Sequence, residues 1–225
     1  MSLAHQRGGR ADTIPIVLIH AGVADLRMWD AQWPDLTAVR ECVRLDLRGF
    51  GASRDKPTEP VSHSRDVIDT LHQLSIPRCH LVGASFGAGV ATEVALSRPD
   101  LVRSLLLCPP GGSLLAELTP DLKRFFDAER AALSRDDLDA AVAVNVDTWV
   151  VGVGRDAARV DPAVRAAVAE MQRDAFEITA AWDDVDDAEF DPPALQRLSA
   201  LAMPVLVLTG QYDLDATQDA ARRVC

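Results

Sequence analysis

"HLVGASFGAG", residues 80–89, decides how this chain folds. An apolar run stops at Gly83, a lone serine (Ser85) sits among small residues, and glycine returns at 87 and 89. Chemistry allows two readings. Ser85 is either the N-cap of a glycine-rich helix, its hydroxyl spent on a backbone N–H, or a nucleophile on a sharp strand-to-helix turn, its hydroxyl exposed above a sheet. The spacing Gly83-x-Ser85-x-Gly87 favours the turn, because small neighbours let the adjoining backbone pass close to a strained serine. The pattern also recurs by chance, so its surroundings matter more than the five residues themselves.

Those surroundings alternate. "PIVLI" (15–19), "CVRLDL" (42–47), "RCHLVG" (78–83), "VRSLLLC" (102–108) and "PVLVLTG" (204–210) are short apolar runs of the kind that make buried parallel strands. Between them, Leu26, Trp29, Trp33 and Leu36 recur at helical spacing, as do Val67, Ile68, Leu71 and Leu74. Strands alternating with helices predict an α/β fold with a mostly parallel sheet flanked by helices. The alternation breaks from about 113 to 198. There the patterns are helical: Leu122, Phe125, Phe126 and Glu129, then "DDLDAAVAVNVDTW", then "DPAVRAAVAEMQRDAFEI" with Pro162 near a helix start. The expected organisation is a core of residues 1–112 and 199–225, with 113–198 inserted as a helical cap or lid over the sheet's carboxyl edge.

Every suspicious residue falls beyond a strand's carboxyl end, where open parallel sheets hold their ligands. His20, Ala21 and Gly22 follow the first run, Asp46 and Arg48 the second, Ser85 the third and Asp213 the fifth. A net charge of −11 argues against binding to nucleic acid or to an anionic membrane, and leaves a small-molecule substrate as the expected partner. Much of the acid lies in "WDDVDDAEFD" (182–191), read as a solvated face. The four cysteines are scattered, with neither metal-ligand nor disulfide-framework spacing, so no metal or cofactor is expected and a reducing, cytoplasmic setting fits. No apolar stretch reads as a signal peptide or a membrane span.

The stretches "VLIHAGVADLRMWD", "RLDLRGFGAS", "HLVGASFGAG" and "PVLVLTGQYD" together resemble the α/β-hydrolase fold superfamily, specifically its lid-bearing esterase, lactonase and haloperoxidase-like branch. That resemblance implies Ser85 as nucleophile and Asp213, in Gly210-Gln211-Tyr212-Asp213, as the triad acid, with Asp215 a weaker substitute. It implies an oxyanion hole from the backbone N–H groups of Phe86 and Gly22, with Ala21 close behind as donor or pocket residue. His20 is expected to shape that loop rather than to act as a base, and Asp46 and Arg48 to brace loops. In the inserted region Phe125, Phe126, Asn145, Trp149 and Trp182 are candidates to line an acyl pocket. The implied activity is hydrolysis of a small carboxylic ester or lactone by acyl transfer.

One part of the pattern is not met. The family places a histidine after the acid, beyond one further strand. Here His5, His20, His63, His72 and His80 all precede Ser85, and the sequence ends at Cys225 soon after Asp213. The expectation is therefore a chain lacking its final strand and helix, weakly active or inactive, with a possible self-association through the exposed edge of "PVLVLTG". Two other readings stay open: a non-catalytic small-molecule-binding module, and a lyase or cofactor-free haloperoxidase of the same fold.

Overall fold

A computed structural model describes residues 2–11, 13–182 and 185–225. Six strands form one sheet: β1 (His5–Gly8), β2 (Ile16–Ile19), β3 (Cys42–Leu45), β4 (Cys79–Ser85), β5 (Val102–Pro110) and β6 (Val205–Val207), in the order β1-β3-β2-β4-β5-β6. Only β1 runs antiparallel to its neighbour; the rest are parallel. The predicted α/β class with a mostly parallel sheet is the fold observed.

Burial explains why the strands read as continuous apolar runs. Val17 and Ile19 of β2 join the larger core cluster on one face, while Leu18 joins Ala21, Trp29 and Ala84 on the other. A strand covered on both faces has no polar side, so its sequence does not alternate. On the larger face lie α2 (His63–Gln73), which buries Val67 and Leu71, and α3 (Phe86–Ser97), buried along almost its whole length. On the other, Trp33 and Leu36 of α1 (Trp33–Val39) pack against the smaller cluster. The last helix, α7 (Asp215–Val224), packs against β5 and buries Ala216, Thr217 and Ala220.

Register sets the position of everything that follows. Leu45 pairs with Ile19, Ile19 with Gly83, Gly83 with Leu107 and Leu107 with Val207. The carboxyl ends of five strands therefore form one row, and the loops after them open on the same edge.

Between β5 and β6 stand α4 (Pro120–Leu133), α5 (Leu138–Val146) and α6 (Pro162–Thr179). Each starts as its sequence dictates. Thr119 accepts from the Leu122 N–H, Asp137 from Ala140 and Asp161 from Ala163, with proline opening α4 and α6. After α5 the chain widens into a π-helical turn, Asp147–Val151, which Gly152 ends at φ +94. No described helix is long and apolar enough to cross a membrane.

Three local expectations need correction. The helical spacing over Leu26–Leu36 is split into a 3-10 turn at Leu26–Trp29 and α1, because Pro34 sits in the first turn of α1 and cannot continue an earlier helix. The run at 204–210 forms a strand only over Val205–Val207. Residues His5–Gly8, outside the apolar runs read as strands, make β1. Of the acidic stretch 182–191, Asp183 and Asp184 lie outside the described residues; Asp186, Asp187 and Glu189 are exposed, as a solvated face requires.

Candidate active site

β4 runs directly into α3, and the junction is Ser85 at φ +51, ψ −113. A non-glycine residue there is strained by roughly 1–3 kcal/mol. The hydroxyl makes no capping bond to α3, so the N-cap reading fails and the sharp turn stands. The flanking glycines are sterically required. A Cβ on Gly83 would collide with the carbonyl of Gly87, a Cβ on Gly87 with the carbonyl of His20, and a Cβ on Gly111 would lie 3.0 Å from Ser85 Oγ. Strain at the turn has a measurable consequence: Ser85→Gly should be more stable than Ser85→Ala by about 1–2 kcal/mol, since glycine alone tolerates this conformation. Urea unfolding of the two variants checks it; equal midpoints would mean that the turn stores no strain.

The loop after β2 is fixed by His20, which is fully buried. Its Nε2 accepts from the Leu47 N–H at 3.0 Å, so the proton is on Nδ1, which donates to the Ala21 carbonyl at 2.8 Å. Both ring nitrogens are thereby used, and burial pushes the imidazole pKa down. Asp46 braces the neighbouring loops by accepting from the Leu26 and Ala52 N–H groups at 2.8 and 2.9 Å. Arg48 grips Asp66 with two bonds of 2.7 Å. The expected bracing roles are thus seen as contacts.

Gly22 lies against Phe86, close enough that a Cβ on Gly22 would meet Phe86 Cβ at 3.3 Å. The Ala21 N–H faces the Met28 sulfur at 3.4 Å. The Gly22 and Phe86 N–H groups have no acceptor among the described residues. Of the two expected donors in this loop, Gly22 is the one left available.

Ser85, Gly22, Phe86 and Asp213 all line one cavity of about 1000 Å³. Asp213 stands in a tight turn: its Oδ2 accepts from the Gly210 N–H at 2.6 Å, and its carbonyl accepts from the Gln218 amide at 3.0 Å. Asp215 is exposed, bonds the Ala216 N–H at 2.7 Å, and is not on the cavity wall.

The inserted helices supply the facing wall. Phe125, Phe126, Asn145 and Trp149 all reach it, with Phe125 packed edge-on against Trp149 at 5.0 Å between ring centroids. Asn145 lines the wall, but its amide nitrogen donates to Glu129 Oε1 at 2.6 Å and to the Ala141 carbonyl at 3.0 Å. Trp182 does not belong to the wall, contrary to expectation. The chain turns after α6, with the Trp182 N–H bonded to the Thr179 carbonyl, and the indole packs over Gly49. Sequence reasoning does not single out Gln172, a buried residue of α6 on the cavity wall. The signal that could have found it is a glutamine in an otherwise apolar helical stripe.

An ion cluster joins the two sides. Arg27, just after the β2 loop, bonds Asp25 and reaches Glu170 at 2.6 Å and Asp174 at 3.1 Å on α6. None of the five histidines lines the cavity. His63 packs edge-on against Phe86 at 5.1 Å between ring centroids, and His80 bonds Ser104 at 2.7 Å.

A strained serine, two backbone N–H groups without an acceptor among the described residues and a turn carboxylate thus lie around one cavity at the row of strand ends. Residues 16–225 match the Alpha/beta hydrolase family, and the chain belongs to it. Among curated proteins it is similar to the 2-hydroxymuconate semialdehyde hydrolase of Pseudomonas sp. (strain CF600), 34% identical over 106 residues, 44% of this chain and 37% of that protein. It is also similar to the abhydrolase domain-containing protein abhd-5.2 of Caenorhabditis elegans, 36% identical over 104 residues, 44% of this chain and 23% of that protein. The match thus spans well under half the length of these relatives. Among solved structures, a hydrolase from Pseudomonas aeruginosa PA01 superposes with a TM-score of 0.76 at 26% identity, covering 99% of this chain and 81% of that one. The enol-lactonase from Burkholderia xenovorans LB400 shares the fold, with a TM-score of 0.76 at 22% identity over 99% of this chain and 83% of its own.

Proposed function

We propose that this chain carries the acyl-transfer site of a serine hydrolase acting on a small carboxylic ester or lactone. Ser85 attacks the acyl carbonyl, and the Gly22 and Phe86 N–H groups receive the oxyanion, an effect worth about 3 kcal/mol per donor. The Ser85 proton passes to an imidazole, which Asp213 orients and whose charge it offsets, and from there to the departing alkoxide; no histidine lines the cavity, so in this polypeptide an added imidazole takes that role. The observation that carries this reading is the uncapped hydroxyl of a strained Ser85 on the wall of the cavity that Asp213 also lines. The cavity is lined mainly by apolar side chains, including Phe125 and Trp149, which suits the acyl half of a substrate.

In this reading residues 113–198 act as a lid on a core formed by 1–112 and 199–225. The cysteines, all unpaired, fit a reducing cytoplasm. The edge strand β6, with Leu206 57% exposed, is a surface for self-association.

His20 and His80 are engaged elsewhere, and no histidine reaches the wall, so we expect the polypeptide of residues 1–225 to be weakly active or inactive without an added base. A triad short of one member keeps roughly 10³- to 10⁴-fold catalysis over water from the oxyanion hole and binding alone. The same observation favours the second reading, a module that binds small molecules without turning them over. A fluorophosphonate probe separates the two. Ser85 should label slowly, free imidazole in solution should speed both labelling and aryl-ester cleavage by about tenfold or more, and Ser85→Ala should abolish both. No labelling in saturating imidazole, or undiminished labelling of Ser85→Ala, would sink the nucleophile assignment.

A further inference from the structure

Between the π-helical turn and α6 the chain makes a 3-10 turn, Ala157–Arg159, and this segment brings Arg155 and Arg159 to the wall of the Ser85 cavity. Among the described residues no other cationic side chain lines that wall. Neither guanidinium makes an ion pair or a side-chain hydrogen bond among the described residues, whereas carboxylates hold Arg27, Arg44 and Arg48. The acids nearest in sequence cap helical turns instead: Asp156 accepts from the Ala158 N–H at 2.9 Å and Asp161 from the Ala163 N–H at 2.8 Å. The two carboxylates on the wall are engaged as well, Glu129 with the Asn145 amide and Asp213 with the Gly210 N–H. In a chain of net charge −11, two unpaired cations beside one cavity invert the local field.

Arg155 is also held in position. Its guanidinium lies over the Tyr212 ring, 3.6 Å from the centroid. That contact uses the face of the guanidinium and leaves the N–H groups, which point outward in its plane, for a partner. Arg159 is exposed at the mouth, and Val160, Val164 and Val168 continue the wall from it along α6.

We propose that Arg155 and Arg159 form an anion subsite, and that this cavity takes an ester or lactone whose apolar chain ends in a carboxylate. The inference rests on reading the cavity as the substrate pocket of Ser85. Arg155, fixed by Tyr212, presents a planar fork that matches two carboxylate oxygens, and Arg159 adds a second charge at the mouth. The valines hold the carbon chain that separates this anion from the reacting carbonyl. A neutral chain of the same shape keeps the apolar contact and forfeits the charge-assisted bonds.

The test measures binding of ketones, which are not hydrolysed. Three keto acids (5-oxohexanoate, 6-oxoheptanoate and 7-oxooctanoate) are each paired with the diketone in which a methyl group replaces the carboxylate O⁻. All are titrated by tryptophan fluorescence, Trp149 being on the same wall. At low ionic strength the parent should bind at least one keto acid about tenfold or more tightly than its diketone, and sodium chloride should shrink that preference. Arg159→Gln, which loses no protein contact, should lower the ratio, and Arg155→Gln with Arg159→Gln should bring it to about one. Diketone affinity should stay within about twofold of the parent in both variants. Equal binding within every pair by the parent overturns the proposal, as does no binding of any compound. A preference that survives in the double variant overturns it too, since the carboxylate would then sit on the Gly22 and Phe86 N–H groups. Diketone affinity falling in step with keto-acid affinity would make the arginines structural and have the same effect. A Ser85 that never labels would remove the acyl-transfer reading and leave this preference standing, so the two failures are distinguishable.

Discussion

Gly87→Ala should destabilise the protein by about 3 kcal/mol or more, enough to unfold a domain near the lower end of the usual 5–15 kcal/mol range. The added methyl would be driven into the His20 carbonyl and the Ile19 side chain, and neither can retreat. Ile19 lies in the row of paired strand ends, and His20 is held at both ring nitrogens. Gly83→Ala should behave alike, its methyl meeting the backbone of Gly87 and Ala88. Gly154→Ala is the control. With nothing within 4 Å of its added Cβ but a φ of +70, it should cost only about 1 kcal/mol. Urea unfolding of the three variants is the measurement. A Gly87→Ala midpoint matching that of Gly154→Ala would mean that α3 can slide away from β2, and the tight strand-to-helix junction would no longer explain the spacing of the glycines.

Acidification from pH 7.5 to 5.5 should lower the stability of the protein through two buried histidines. Burial pushes the pKa of His20 down, only partly opposed by its bond to the Ala21 carbonyl and by the Asp46 and Asp25 charges. Burial does the same to His63, against the pull of Asp187 and Asp66 and with the help of His20 and Arg48. Both folded values lie below 6.5, so the unfolded chain binds more protons as pH falls. The stability is present above about 6.5 and is lost as pH drops from there toward the folded values. Asp46 and Glu93, both raised by burial, work in the opposite sense: on further acidification they take up protons earlier in the fold than in the unfolded chain, which blunts the loss. His63→Gln should make the fall in stability between pH 7.5 and 5.5 shallower. A urea midpoint that is flat over this window in the parent protein would show that neither imidazole is kept neutral by the fold.

The sheet edge is readable because strands buried on both faces announce themselves as unbroken apolar runs, and parallel pairing then lines up their ends. Ser85 is readable because glycine stands two residues before it and two after, where a strand crosses closely over the start of a helix. The choice between a cap and a turn needs the backbone angle and the uncapped hydroxyl. Where expectation fails, the missing information is tertiary. Its place in the inserted region puts Trp182 among the pocket candidates, yet nothing in the sequence says which way the chain turns once α6 ends, and it turns toward Gly49. Asn145 reads as a pocket residue and does line the wall, but its amide nitrogen is held by Glu129 on a different helix, which the sequence does not reveal. Gln172 escapes notice because a glutamine in a helix is ordinarily a solvated residue, and only burial makes it exceptional.

Arg27 links two parts of the site, beside the contact of the Asp25 N–H with the Met171 sulfur of α6. Its guanidinium holds Asp25, at the end of the segment carrying Gly22, and two carboxylates of α6. The outer pairs are partly open to solvent, and contacts of that kind are worth only about 0.2–1 kcal/mol each and weaken with salt. The connection therefore behaves as a light spring-catch: thermal motion can release it and a modest rise in ionic strength loosens it. While engaged, it transmits the position of α6 to the backbone amide at Gly22. On the proposed reading, a ligand that presses α6 into place would also steady the group that receives the oxyanion, and admission of a substrate would be tied to readiness for its chemistry.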